Sequence, residues 1–255
     1  MRAAAILRTN RNPSEELDMP DEVELLPLEY PEYESQEDLP SDEERTELRE
    51  KVIARLAERE QPTLTEQDYE MPELRHGATV KLKLTPHQIV RATTVSRYLL
   101  DGVPEVFAAD YVGLETAVAC TTTQLESGGR NIYGADPASS WMNRGPFGTL
   151  WERPVTPGNF KWFWSEVEKG AVSNGVGAKQ LTSASLIAAA NRRGGAWIPE
   201  HNCAEGDEFF LELIHETGSL WAAFYHYNGS GAAADAYANN ALAIVGDWRE
   251  RGVNK

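Results

Sequence analysis

QLESGGRNIYG, residues 124–134, is the stretch on which the reading of this chain turns. The residues before it, from about Glu105 to Leu125, are rich in alanine, valine, leucine and threonine and contain no proline. That composition predicts a helix buried on several sides. Ser127-Gly128-Gly129 ends the run, because glycine accepts the positive φ of a helix C-terminus at little steric cost. Glu126 is thereby left in the last turn of an apolar helix. Desolvation and the negative end of the helix dipole both raise a carboxyl pKa there, which is how a general acid is made.

Working outward, 255 residues with 41% hydrophobic content suffice for a substantial core. No window approaches 18 uninterrupted apolar residues, so no membrane span is expected. The N-terminal MRAAAILRTNRNPSEEL turns polar too soon for a signal peptide. Cys120 and Cys203 fit neither a metal spacing nor a disulfide framework and are expected as buried thiols. His76, His87, His201, His215 and His226 are scattered, so neither a metal site nor another cofactor is expected. The net charge of -16 is concentrated at one end: residues 1–75 hold 22 of the 40 acidic residues but 9 of the 24 basic ones. Nucleic acid as a partner needs clustered Lys and Arg, which this balance does not supply.

Two regions are expected. Residues 1–75 read as an acidic linker, largely disordered over the proline-rich 9–40, with one amphipathic helix near 41–60. Ser41 with Glu44 forms a capping box for that helix, and Leu48, Val52, Ile53 and Leu56 its apolar stripe. It reads as an isolated helix or as a docking element for another protein. Residues 76–255 read as a mainly α domain.

At the start of that domain GATVKLKL, residues 77–84, alternates like a short strand. Thr85-Pro86 caps a helix whose apolar face includes Ile89, Val90, Val95, Leu99 and Leu100, and Pro104 separates it from the helix of Glu126. After Gly134 comes an aromatic insertion, PASSWMNRGPFGTLWERPVTPGNFKWFWSEVEKG. Its second half predicts a helix between Pro157 and Gly170, with Phe160, Phe163 and Trp164 as core. Trp141 and Trp151, in glycine- and proline-rich loop, are the candidates for stacking on sugar rings. Further helices are expected over 183–193, 205–217, 219–227 and 232–251.

Four pieces in order carry a resemblance: Glu126-Ser127-Gly128-Gly129, then Gly175-Val176-Gly177-Ala178-Lys179-Gln180-Leu181, then GGAWIPEHN (residues 194–202) followed by Gly206, then Tyr227-Asn228-Gly229-Ser230-Gly231. Over about Thr85 to Arg251 this pattern resembles the lysozyme-like superfamily of soluble lytic transglycosylases and goose-type lysozymes. NIYGAD, NGVGAKQLT and YNGSG look more similar still to the cell-wall-degrading domains of lysins and tail proteins from phages of actinobacteria. The 49 positions from Glu126 to Gly175 exceed the family's usual spacing, and the aromatic insertion fills the excess.

The resemblance implies a lysozyme-like helical fold that cleaves the β-1,4 bond between N-acetylmuramic acid and N-acetylglucosamine. Glu126 would be the acid, Tyr227 would hold its carboxyl or the substrate, and Ser127, Gly177, Gln180 and Asn228 would lie along the glycan. A hydrolase needs a second carboxylate, for which Asp136 and Glu152 are the candidates, whereas lytic transglycosylases use the sugar's own groups. The implied partners are peptidoglycan strands and, through the acidic N-terminal region, other phage proteins. The implied location is the host cytoplasm before release through a membrane pore, or the virion. Two other readings are a non-catalytic wall-binding protein of the same fold and a chitinase-like hydrolase.

Overall fold

The computed structural model describes residues 42–58, 85–135 and 137–253. Ser41 and the capping box built on it, the proline-rich 9–40, GATVKLKL and Asp136 lie outside the described residues. Among the described residues the architecture is mainly α: nine α-helices and one 3-10 helix, with isolated β-bridges and no strand. No described helix is long and apolar enough to cross a membrane.

The helix with the most buried residues is α7 (Pro199–Thr217), against which α1 (Asp42–Glu58), α3 (Val103–Val112), α6 (Ala184–Arg192) and α8 (Leu220–Asn228) pack. On the far side, α9 (Ala232–Glu250) lies on α8 and on α4 (Thr116–Glu126), burying Ala234, Ala238, Ala241, Val245 and Trp248. Small alanines let α9 approach closely, and Trp248 fills the end of the groove.

The expected starts and stops are largely where local chemistry puts them. Thr85 caps α2 (Pro86–Val95) in a full capping box with Gln88. Thr156 and Asn159 do the same for α5 (Pro157–Glu168). Gly218, at φ 65°, separates α7 from α8.

Two expectations need correction. The alanine- and threonine-rich stretch is two helices, broken at Gly113 with φ 83°, and Pro104 lies within the first turn of α3 instead of before the helix of Glu126. Proline is tolerated there because a first-turn N–H has no intrahelical acceptor. The face of α2 is also misread: Ile89 and Val90 are exposed while Gln88 and Arg91 are buried. The reason is Asp110 on α3, whose carboxylate accepts from Gln88 Nε2 at 2.8 Å and Arg91 Nη1 at 2.9 Å, turning the polar side of α2 inward.

The helix near 41–60 buries its stripe against its own chain. Val52 and Leu56 are fully buried with Ile53 packed beside them, and α1 contacts α6, α7 and α8. Lys51 pairs with Glu216 at 3.0 Å, and Arg55 pairs with Glu212 and Glu216. The two aliphatic side chains contribute about 1.5–3 kcal/mol each by burial.

The aromatic insertion is a satellite of the core. Its 3-10 helix (Pro137–Asn143) lies in the chain between Tyr133 and the residues it bridges, Trp151 and Val176, and Phe160 and Phe163 of α5 are buried. Both cysteines are free and buried, Cys120 on α4 and Cys203 on α7.

Candidate active site

Every residue of α4 from Thr116 to Thr123 is buried. Hydroxyls in such a helix must find partners, and Thr121 and Thr122 donate back to the carbonyls of Ala117 and Ala119 at 2.8 and 2.9 Å. The helix therefore holds its C-terminal residue, Glu126, in a fixed place. Glu126 is half-buried, and its Oε1 accepts a 2.7 Å hydrogen bond from the hydroxyl of Tyr237 on α9. Burial raises the Glu126 pKa, the Tyr237 hydrogen bond and the charge of Lys179 oppose it, and the net direction is upward. A carboxyl so placed keeps its proton to higher pH than an exposed one, as a general acid requires.

The glycine loop meets the end of α4 here. Ser127 Oγ donates to the Ala178 carbonyl at 2.8 Å, tying the helix end to the loop. Gly177, at φ 84°, lies against Asn202 of α7, where an added Cβ would come within 2.1 Å of Asn202 Nδ2. Asn202 donates to the Val176 carbonyl and accepts from the Lys179 N–H, both at 2.9 Å, so α7 grips the loop through one amide. Lys179 turns inward. Its ammonium donates to the Ala119 carbonyl at 2.7 Å and Thr122 Oγ1 at 2.6 Å and pairs with Asp207 at 2.5 Å, all fully buried. Burial lowers the Lys179 pKa, but Asp207 foremost more than reverses this, and the ammonium stays charged. Close by, Glu105 is buried, with one oxygen near Cys203 Sγ and the other without a partner; burial lifts its carboxyl to about 8.

Glu126, Gln180, Tyr227 and Asn228 come together around a cleft of about 100 Å³, whose walls also include Arg49, Lys179, Leu186 and Phe209. Gln180 is held at φ 47°, and its amide nitrogen donates to the carbonyls of Ile132 (2.9 Å) and Gly177 (2.6 Å). Its donors thus serve the loop, and its amide oxygen lies against Gly134 and Gly175, where an added Cβ would come within 2.7 Å of it. Tyr227 does not hold Glu126: its hydroxyl donates to the Lys179 carbonyl at 2.9 Å, and Tyr237 takes the role expected of it. Asn228, the exposed last residue of α8, stands at the rim. Ser127 and Gly177 are structural, one a tie and the other a close backbone approach.

Trp141, Trp151 and Glu152 do not line this cleft. Trp141 stacks on Phe163 at 5.8 Å and donates to the Val172 carbonyl at 2.8 Å, so its ring packs on the satellite core. Trp151 packs on the core beside it, and Glu152 is exposed at φ 55°. Asp136 lies outside the described residues. Among those described, no group of three or more His, Cys, Asp or Glu side chains could hold a metal ion.

Four contributors escaped the sequence reading: Tyr237, Lys179, Asn202 and Arg49. A tyrosine in the alanine-rich ADAYANNA of α9 was the one available signal, since a lone aromatic hydroxyl on a close-packing face needs a partner. No protein-family model, no curated protein and no solved structure matches this chain.

Proposed function

We propose that the chain cleaves the β-1,4 bond between N-acetylmuramic acid and N-acetylglucosamine in peptidoglycan, as a lysozyme-like glycosidase of phage lysin or virion type. The observation that carries the reading is Glu126: a single half-buried carboxyl with a raised pKa, oriented by Tyr237 and open to a cleft. Protonated, it donates to the glycosidic oxygen as the bond to the anomeric carbon breaks. Its carboxylate then takes a proton from the attacking hydroxyl. Among the described residues no other carboxylate lines the cleft, which favours attack by the sugar's own 6-hydroxyl and a 1,6-anhydro product, the lytic transglycosylase outcome.

Zymography on actinobacterial cell walls tests the assignment. Glu126→Gln keeps size and hydrogen bonding but deletes the proton, and is expected to lose about 10²-fold or more of the lytic activity. Retention of more than about a tenth of it would remove Glu126 from the role. Mass spectrometry of released muropeptides separates anhydro from reducing ends.

A second reading, a wall-binding module without catalysis, draws on the size of the cleft. About 100 Å³ is below the 300–1,000 Å³ range of small-molecule sites and admits one sugar edge unless the rim yields. Wall sedimentation without released muropeptides would favour it.

A further inference from the structure

One wall of the cleft has no part in the proton transfer. It is supplied by Arg49, which reaches in from α1, more than 70 residues earlier in the chain than Glu126. Two cations line the cleft, and they are not equivalent. Lys179 is fully engaged by Asp207, Thr122 and the Ala119 carbonyl. Arg49 has no ion pair among the described residues, and its Nε is buried without a hydrogen-bond partner. Its guanidinium carbon sits 6.0 Å from the centroid of Phe209, another residue of the wall.

Nor does Arg49 neutralise the acid. The groups that act on Glu126 are Tyr237 and Lys179, whereas Tyr227 feels both Glu126 and Arg49. The guanidinium therefore stands beside the carboxyl's cleft and leaves its proton alone. Tyr227 and Glu50 favour its charge, yet burial outweighs them, and a partly desolvated cation of this kind gains when an anion pairs with it. The position is also fixed, because Val52 and Leu56 are buried one and two turns further on and Lys51 and Arg55 are clamped to the end of α7.

The geometry points to Arg49 as the recognition residue for a carboxylate carried by the sugar next to Glu126. The inference rests on the glycosidase reading above and narrows its substrate to glycan strands that carry muramic acid free of stem peptide, where the lactyl ether ends in a carboxylate and not an amide. Neutral chitin lacks the group. A planar guanidinium suits it, since two parallel N–H donors match a carboxylate edge.

The test measures binding in the full chain carrying Glu126→Gln, so that no glycan is cut during titration. The probes are a tetrasaccharide of alternating N-acetylglucosamine and muramic acid with free lactyl carboxylates, and the same compound with those carboxylates amidated. Calorimetry is expected to give tighter binding of the acid form by about 10-fold or more, the value of a charge-assisted pair. Adding Arg49→Gln brings the ratio close to one, and Arg49→Lys, which keeps the charge without the fork, leaves it in between. The lysine variant also decides the matter if the glutamine one does not fold, because a ratio unchanged from the parent overturns the inference. Equal affinity for both probes in a protein that still lyses walls sinks the role of Arg49 alone. Failure to bind either probe, together with inert wild-type protein on walls, sinks the glycosidase reading and takes this inference with it.

Discussion

Replacing Glu105 by glutamine is expected to change how stability depends on pH more than stability at any one pH. Glu105 is 1% exposed in the first turn of α3, and burial lifts its pKa from 4.5 to about 8. Below pH 4.5 the folded and unfolded chains both carry the proton. Between 4.5 and 8 the unfolded chain has lost it and the folded chain keeps it, so unfolding releases a proton and stability falls as pH rises. Above 8 the folded state ionises as well and the decline stops. At about 1.4 kcal/mol per pH unit, the loss attributable to this group between pH 5 and pH 8 is on the order of 4 kcal/mol. Glu105→Gln has no such titration. Any packing penalty of the amide is the same at each pH, so the pH-dependent part of the difference isolates the carboxyl. Urea unfolding of both proteins at pH 5, 6.5 and 8 measures it. Curves that stay parallel, with a difference constant to within about 1 kcal/mol, would show that Glu105 titrates like a solvated acid and refute the reasoning.

Two further outcomes follow from neighbouring residues. Tyr237→Phe removes a donor that favours the Glu126 carboxylate, so the alkaline limb of wall lysis should move to higher pH in a folded protein; an unmoved or lowered limb contradicts the 2.7 Å hydrogen bond as the controlling contact. Lys179→Met strands Asp207 in the core and should cost about 3–5 kcal/mol in a urea melt, while Lys179→Met with Asp207→Leu should recover most of it. If the double variant is no more stable than the single, Asp207 is not the group left uncompensated.

What the sequence made legible was local. Thr85-Pro86, Pro157 and Gly218 announce their helix boundaries through capping and φ alone, and Glu126 at a glycine-terminated helix end follows from the same rules. What it hid depended on distant partners. Gln88 and Arg91 are inside because Asp110 waits on another helix, which no periodicity of α2 encodes. Tyr227 and Tyr237 are both tyrosines near the C-terminal helices, and only the way α9 lies on α4 decides which hydroxyl reaches Glu126. Lys179 carried no role in the glycine-loop motif because its counter-charge, Asp207, lies 28 positions away in a helix. Arg49 sat in a helix whose charged surface suggested an outside partner, yet it lines the cleft.

The docking of α1 also constrains the order of events on the ribosome. Its ion pairs to Glu212 and Glu216 close over sequence separations of 157 to 165 residues. At about 5–20 residues per second, α1 waits roughly 8 to 30 s after its own synthesis before the end of α7 exists to receive it. During that interval Val52, Ile53 and Leu56 have no surface of this chain to cover them, and an isolated 17-residue helix is marginal in water. The cleft wall that carries Arg49 is therefore made early and placed late. A nascent chain halted before α7 would hold Glu126 without that wall, so acid and cation become neighbours only in the last stage of synthesis.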